Sequence, residues 1–371
     1  MNEVVIFCES YPQIKNALYL SKQNYQDHPV TIMVTMPDLY KFFNLVNEKV
    51  FQGGLNVVYF DIYRGRTAKA GSKIIKALYL LPDIVKERQY LKKIFKKHFA
   101  QLRKAEVFFS SRFFNPSTFY LLRKLSTTNS LVYIPDPSYD AILINKAAPA
   151  NITEVVSLLK SKIVYGWDIA LGKHPLGQKI TRMPDEFIRK RVARVISREE
   201  RERLLRNFDT NQFRLFNNID CSIMYFHEDL VEHDYVTDHE TFERRLAEVF
   251  NIIGKHFPEN KVALKYHPGY AEGEPAVPFG SRLPDFIPAE FLYSGKIRMY
   301  LGISTMALAN VEKGLAVSLI YLIGFKNDTI REQLKKALIQ WSHSEILFPQ
   351  SLDEFERILI DIKNKKFEEV Q

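Results

Sequence analysis

The chain has 371 residues, of which 46% are hydrophobic and 26% are charged, and its formal net charge is +9. This balance is typical of a globular protein large enough for two domains, and it excludes an extensively disordered chain. The longest apolar stretch, near residues 314–325, is about half as long as a membrane-spanning helix needs to be.

The two cysteines and the first residues indicate the compartment. Cys8 and Cys221 lie in apolar runs typical of buried strands, so we expect no disulfide framework and a reducing environment. The apolar run at residues 4–8 is too short for the core of a signal peptide, and the acidic Glu3 and Glu9 flank it. We therefore expect a cytoplasmic protein.

Short apolar runs alternate with longer helical patterns through the first 165 residues. The runs predict strands at residues 4–8, 31–34, 57–60, 107–109 and 131–134. The segments between several of them predict helices at 14–22, 38–47, 73–104 and 117–125, the third with a break or kink at Pro82. Strands joined by crossover helices pair in parallel, so we expect residues 1–165 to form a Rossmann-like domain.

A second alternation begins near Cys221. It predicts strands at 222–226, 261–266, 297–303 and 316–323, and helices at 240–256, 305–313 and 352–363. Residues 217–371 are therefore expected to form a second Rossmann-like domain. Residues 166–216 are expected to form a helical connector, because 179–208 is dense in Arg, Lys and Glu. The predicted fold class is α/β, with two doubly wound domains facing a cleft where ligands bind at the carboxyl ends of strands.

Two common nucleotide-binding fingerprints are missing. The first predicted strand leads into Cys8-Glu9-Ser10-Tyr11-Pro12 instead of G-x-G-x-x-G, and no G-x-x-x-x-G-K-[ST] occurs. The sequence therefore argues against a dinucleotide-dependent dehydrogenase and a P-loop nucleotide triphosphatase.

Two motifs of the second domain follow predicted strands. His267 and Pro268 come directly after the run 262–266, and the next strand end, 300–305, carries Gly302, Ser304 and Thr305. We expect Ser304 to cap the following helix, and Thr305 and the first free amides to face the same crevice. A cationic imidazole, two hydroxyl groups and a helix amino terminus on neighbouring strand ends would bind a phosphate without a metal.

Each motif alone has an ordinary structural explanation. Two further His-Pro pairs occur in predicted loops, at 28–29 and 174–175, and a Ser-Thr pair at a helix start is usually only a cap. Their combination on strand ends of one domain is what indicates a functional site.

The order and spacing of these motifs resemble bacterial sialyltransferases, including the lipooligosaccharide and polysialic acid enzymes. That family carries a His-Pro motif and a later Ser-Ser/Thr motif, and many members have a proline and a glutamate between them. Here the intervening segment is 287–292, with Pro288 and Glu290. The resemblance chiefly covers residues 221–325 and implies the two-domain fold called GT-B. It further implies that residues 1–165 form the acceptor-side domain and that residues 217–371 form the domain that binds the nucleotide sugar.

The resemblance also implies roles for individual residues. His267 would contact the phosphate of a cytidylate and is a candidate to protonate it. Ser304 and Thr305 would bind the same phosphate, and Glu290 would bind the ribose or base. Pro268 and Gly302 complete the expected donor-binding set.

Inverting transfer also needs a base that accepts the proton of the acceptor hydroxyl. Several of these families carry it in an Asp/Glu-Asp-Gly motif of the first domain, where this chain has Asp136 between two prolines. In the lipooligosaccharide enzymes it follows the first strand of the second domain, where the matching residue is Asp229. Asp229 and Asp136 both remain candidates.

The sequence predicts neither a metal nor a cofactor. The acidic and histidine residues of 227–239 have no zinc-ligand spacing, and no Asp-x-Asp motif occurs. The resulting hypothesis is an inverting transferase that moves sialic acid or a related nonulosonic acid from a CMP-activated donor to a glycan or glycolipid acceptor of the cell surface, in capsule or lipooligosaccharide. The alternative enzymes use a Kdo, hexose or glycerol-phosphate donor.

The surplus positive charge is concentrated between Arg64 and Lys104, a segment that contains thirteen basic residues and two acidic ones. Apolar residues interleave with lysines there, which predicts a helix that packs on the first sheet and presents lysines to the anionic inner face of the cytoplasmic membrane. The alternative to an enzyme is a nucleic-acid-binding protein. It is disfavoured, because no nucleic-acid-binding motif occurs and the charge lies in a single segment.

Overall fold

A computed structural model describes residues 3–61, 73–110, 116–135, 220–228, 238–266, 279–292, 296–311, 313–342 and 344–364, with shorter stretches within 155–236 and residue 277. The chain divides into two compact units, Met1–Asp209 and Thr210–Gln371.

The first unit is built on a parallel sheet. Its strands are β1 (Val4–Cys8), β2 (Val30–Val34), β3 (Leu55–Tyr59), β4 (Glu106–Phe109), β5 (Ser130–Tyr133) and, after the hairpin β6 (Ala170–Lys173) and β7 (Lys179–Arg182), β8 (Val192–Val195). Its helices are α1 (Ile14–Asn24), α2 (Pro37–Lys49), α3 (Lys73–His98), α4 (Pro116–Leu125), α5 (Asp185–Arg191) and α6 (Arg198–Arg206). The strand order is β3-β2-β1-β4-β5-β8.

The early strands and helices follow the sequence closely. All five residues of β1 are buried, as expected of a central parallel strand that is covered on both faces. Helix α3 contains Pro82 and continues through it. It ends at His98 rather than at Lys104, which has a positive φ of 60° in the turn before β4.

Helix α3 has one packed face and one basic face. Ile84 and Leu91 are buried in the first core, and Tyr90, Ile94 and Phe95 pack against it. The basic residues of the described side chains are exposed, namely Lys86, Arg88, Lys92, Lys93, Lys96 and Lys97. The two acids of this helix, Asp83 and Glu87, are buried, so the exposed charged side chains described for this helix are all basic. Among the described residues, no helix combines the length and apolarity needed to cross a bilayer.

The segment 179–208, which the sequence predicts to be helical, also contains strand. β7 pairs antiparallel with β6, and β8 pairs in parallel with β5. β8 is largely exposed, with Val195 at 51%, so its sequence lacks the apolar pattern of a buried strand. Pairing with the free edge of β5 therefore specifies this strand, and part of the expected connector completes the first sheet.

The second unit repeats the same architecture. Its strands are β9 (Ile223–His227), β10 (Val262–Tyr266), β11 (Ser281–Arg282), β12 (Met299–Gly302), β13 (Leu315–Ser318) and β14 (Ile346–Leu347). Its helices are α7 (His239–His256), α8 (Met306–Ala309), α9 (Asp328–Trp341) and α10 (Leu352–Asn364). The strands lie in the order β11-β10-β9-β12-β13-β14 and pair in parallel.

Both sheets therefore have their six strands in the spatial order third, second, first, fourth, fifth, sixth. This is the doubly wound order, in which the direction of strand addition across the sheet reverses after the third strand. The first and fourth strands are therefore neighbours, and a crevice opens at their carboxyl ends. The crevice lies between β1 and β4 in the first unit and between β9 and β12 in the second. The α/β fold of two Rossmann-like domains that the sequence predicted is confirmed.

Candidate functional site

Several predicted site residues lie outside the described residues. These are His267, Pro268, Asp229 and Asp136. Glu290 lies in the short 3-10 turn Ala289–Phe291, and its side chain is likewise outside the described part. Ser304, Thr305 and Gly302 are described, and they all lie at the carboxyl end of β12.

Glu228 occupies the crevice of the second sheet. It follows β9, and the parallel register of β9 with β12 pairs Ile223 with Met299 and Tyr225 with Leu301. Continued by three residues, this register brings Glu228 level with Ser304. The Ser304 amide donates to Glu228 Oε2 at 2.7 Å, and Ser304 Oγ donates to Oε1 at 3.2 Å.

The surroundings of Glu228 move its ionisation close to neutral pH. Burial raises the pKa of its carboxyl from 4.5 to about 7. Hydrogen bonds from Ser304 and from the backbone of Ile303 and Thr305 favour the ionised form and lower the pKa, but burial is the larger effect. The backbone at 303–305 is therefore arranged to receive an anion, and in this structure the anion is the carboxylate of Glu228.

The residue that caps helix α8 differs from the one that the sequence predicted. Thr305, not Ser304, is the N-cap of α8, because the helix begins at Met306; its Oγ1 accepts from the Ala307 amide at 3.2 Å. The expectation that Ser304 caps the helix is therefore wrong. Helix α8 has four residues, too few for a large dipole, so the anion is held by individual donors rather than by a helix field.

Gly302 is required by close packing. A Cβ at this position would lie 2.6 Å from Thr305 Cγ2 and 3.3 Å from Leu308 Cδ1. From the other side, Ser318 Oγ donates to the carbonyl of Ile303 at 2.5 Å. These contacts hold the turn that presents Ser304, which gives Gly302 a positioning role beside the donor contact expected for it.

The strand order corrects the expected position of the His-Pro motif. β9 lies between β10 and β12, so the ends that carry His267 and Ser304 are not neighbours. The carboxyl ends of β10 and β12 are two strand spacings apart, which is roughly 10 Å. The two motifs therefore follow the strands on either side of Glu228.

The end of β10 is held by buried polar and aromatic contacts. Lys265 is 4% exposed and its Nζ donates to the carbonyl of Asp285 at 3.0 Å and to that of Tyr266. The guanidinium of Arg282 lies 4.5 Å from the Tyr266 ring centroid, and the His227 ring lies 4.7 Å from the same ring. The residue that precedes His267 is therefore firmly placed.

The motifs of the sequence do not single out Glu228, which lies among the acidic and histidine residues of 227–239. The available signal was its position as the first acid after the first strand of the second domain. Within the described ranges, no three His, Cys, Asp or Glu side chains are grouped to hold a metal ion. Metal independence stays a prediction.

No protein-family model matches the chain, and no curated protein matches it. Solved structures with partial similarity include a glycotransferase of kitacinnamycin, at 10% identity and a TM-score of 0.40 over 98% of this chain and 91% of that one. UDP-N-acetylglucosamine 2-epimerase from Rickettsia bellii is similar at 10% identity and a TM-score of 0.40, over 98% of this chain and 96% of the other. ADP-heptose lipopolysaccharide heptosyltransferase II of E. coli is similar at 12% identity and a TM-score of 0.36, over 97% and 99%.

The fold follows from the strand orders themselves. Two successive doubly wound units of six parallel strands each form the pair of Rossmann-like domains that defines the GT-B class. A fold does not determine a reaction, so the activity is argued from the site.

Proposed function

We propose that the protein is an inverting, metal-independent glycosyltransferase that moves sialic acid or a related nonulosonic acid from a CMP-activated donor to a cell-surface glycan. The observation that carries this proposal is the anion-binding turn at 303–305. There the Ser304 amide and hydroxyl bind a carboxylate in the crevice where doubly wound domains bind ligands.

A nucleotide monophosphate suits this turn. Its phosphate oxygens accept the same hydrogen bonds as the carboxylate of Glu228, and its charge is smaller than that of a diphosphate. Donors aimed at the leaving phosphate stabilise the charge that develops as the glycosidic bond breaks. The sequence resemblance adds His267 as the second phosphate contact, Pro268 beside it, and Glu290 on the ribose or base.

The acceptor needs a base, for which the family pattern offers Asp229 and Asp136. Asp229 follows Glu228 directly, and Asp136 follows the end of β5 by three residues. Either carboxylate would take the proton of the acceptor hydroxyl while the hydroxyl oxygen bonds to the anomeric carbon.

Nucleotide selectivity separates this proposal from other GT-B donors. We expect CMP to raise the thermal unfolding midpoint and UDP to leave it unchanged, because ligands stabilise in proportion to their affinity for the folded state. Stabilisation by UDP alone would favour a hexose donor. Steep, salt-dependent binding of DNA or RNA would instead favour a nucleic-acid-binding protein.

Activity assays then test the roles proposed for His267, Asp229 and Asp136. With CMP-sialic acid, donor hydrolysis and transfer to an acceptor are compared for wild type, His267→Ala, Asp229→Ala and Asp136→Ala, with and without a chelator. We expect His267→Ala to slow both reactions, and the true base variant to slow transfer most. An aspartate whose removal leaves transfer intact is not the base, and loss of activity in chelator that a divalent ion restores would contradict metal independence.

We also propose that the exposed basic face of α3 binds the anionic inner face of the membrane, where lipid-linked glycan acceptors lie. Each lysine near such a surface contributes about 1 kcal/mol. Replacing Lys92, Lys93 and Lys96 by alanine should therefore weaken binding to phosphatidylserine vesicles roughly 100-fold. Alanine at the exposed Lys22, Lys41 and Lys49 of α1 and α2 is the matched control. Equal binding of wild type to neutral and anionic vesicles would contradict the proposal.

A further inference from the structure

The carboxyl edge of the first sheet carries a cluster of polar residues that the proposed reaction does not yet use. Thr35 follows β2, Glu9 follows β1 and Ser110 follows β4, so three adjacent strands end in polar side chains. Helix α4 adds Ser117 and Thr118 in its first turn. Apart from Glu9, these side chains are at most 5% exposed. The cluster lies at the crevice between β1 and β4.

Glu9 is the ionisable centre of this cluster. Thr118 Oγ1 donates to Glu9 Oε1 at 2.5 Å, and the Glu9 amide donates to Gln13 Oε1 at 2.8 Å. Gln13 is itself 3% exposed, so both partners of Glu9 are held by packing. Burial raises the pKa of the Glu9 carboxyl from 4.5 to about 8, against the smaller lowering by Thr118.

The neighbours of Glu9 among the described residues are almost all neutral. Thr118 of α4 and Gln13 of the 3-10 turn before α1 are hydrogen-bonded to Glu9, and Thr35 and Ser110 end the flanking strands. The titratable neighbour is Cys8, whose thiol pKa is raised by burial and by the charge of Glu9. Ser10 Oγ is buried without a hydrogen-bond partner in this part of the structure, so a polar group remains to be satisfied there.

The second domain repeats the position. Phe7-Cys8-Glu9 ends β1 as Phe226-His227-Glu228 ends β9, and in both units the glutamate follows a buried five-residue strand at the crevice. Their partners differ. Glu228 accepts from the amide and the hydroxyl of Ser304, whereas the donor to Glu9 among the described residues is the hydroxyl of Thr118. In the described part of the first site, no amide donor corresponds to that of Ser304.

A carboxyl group among neutral hydroxyl and amide side chains repels phosphate and suits a sugar hydroxyl. We propose that the carboxyl edge of the first sheet binds a neutral hydroxyl of the glycan acceptor and that Glu9 accepts its proton. The proposal rests on the proposed function for the donor, and it assigns the base to Glu9 in place of the two candidates of the family pattern, Asp229 and Asp136. The acceptor oxygen bonds to the anomeric carbon, the bond from that carbon to the phosphate oxygen breaks, and the hydroxyl proton passes to Glu9.

Three variants test the role of Glu9. Glu9→Gln keeps the shape and removes the base, Glu9→Asp keeps a base that is one methylene shorter, and Thr118→Val removes the hydroxyl that favours the ionised form. Each is assayed for CMP stabilisation, CMP-sialic acid hydrolysis, and the pH profile of acceptor transfer.

We expect Glu9→Gln to slow transfer about 100-fold or more with CMP stabilisation unchanged, and Glu9→Asp to recover part of the loss. In wild type, kcat/KM for the acceptor should rise with pH and level off near pH 8. Thr118→Val should move that limb to higher pH, which loss of packing alone would not do. This shift remains a valid test if Glu9→Gln fails to fold.

Two results would overturn the inference: transfer by Glu9→Gln within about threefold of wild type, or a pH limb that Thr118→Val leaves in place. The proposed function fails in a different way. If wild type neither binds CMP nor transfers from CMP-sialic acid, the donor assignment is refuted, and the role of Glu9 falls with it.

Discussion

Glu228→Gln exchanges a buried carboxyl for a neutral amide of almost the same shape. The amide oxygen can still accept from the Ser304 amide, as Glu228 Oε2 does at 2.7 Å. The substitution therefore removes charge with little change in packing, at a group whose pKa burial raises from 4.5 to about 7.

The sign of the effect on stability follows from the two pKa values. Below pH 4.5 the carboxyl is protonated in the folded and the unfolded chain, and its contribution to stability is fully present. Between pH 4.5 and 7 the unfolded chain loses the proton first, so the free energy of unfolding falls. Above pH 7 the difference is constant.

The magnitude follows from the same values, 4.5 and about 7. At 1.36 kcal/mol per pKa unit they correspond to about 3 kcal/mol. The stability of Glu228→Gln relative to wild type should therefore rise by about 3 kcal/mol between pH 4.5 and 8. Urea unfolding at four pH values measures it, with Glu345→Gln, at an exposed position, as the control for the loss of one carboxylate.

Nucleotide binding gives the second readout. At pH 8 the ionised Glu228 competes with phosphate for Ser304, and displacing a charged hydrogen-bond partner costs about 1.5–3 kcal/mol. We expect Glu228→Gln to bind CMP roughly tenfold more tightly than wild type at pH 8 and equally well at pH 5.5. The ionisation of CMP itself cancels in this comparison. A difference that does not change with pH would refute the reasoning.

Three further substitutions test the packing. Gly302→Ala should lower stability by about 1–3 kcal/mol and weaken CMP stabilisation, because its Cβ meets Thr305; wild-type values would show that the turn tolerates the methyl group. Leu91→Ala should lower the free energy of unfolding by about 2–5 kcal/mol, and the exposed Lys92→Ala should lower it by less than about 0.5 kcal/mol. Equal losses would contradict the packing of the Leu91 face of α3 against the core. Asp238→Ala should cost about 1 kcal/mol by removing the N-cap of α7, and an unchanged urea midpoint would contradict this.

The sequence predicts the strands whose own residues carry the signal. β1 is apolar throughout, and β9 and β10 are apolar except for His227 and Lys265; all three strands are buried. Their burial can therefore be inferred from their own residues. β8 is an exposed edge strand and exists because β5 offers it a partner. Residues 328–341 form a helix that the sequence analysis did not predict, although apolar residues recur at helical spacing at positions 330, 334, 337, 338 and 341.

The site was predictable in its chemistry but not in its arrangement. A Ser-Thr pair after a strand indicates a polar turn, yet which hydroxyl caps the helix depends on whether the helix starts at residue 305 or 306. The position of β9 between β10 and β12 is a property of the sheet, and it decides that Glu228 lies between the two motifs. Linear spacing contains no such information.

The chain contains two cysteines, and each compact unit holds one as a buried free thiol. Burial raises the pKa of both, that of Cys221 to about 11, so neither should react with an alkylating reagent while its surroundings are intact. Pulse alkylation followed by peptide mass spectrometry would count openings around Cys8 and Cys221 separately. The two native thiols can therefore serve as probes of local unfolding, one in each compact unit, without the introduction of a new cysteine.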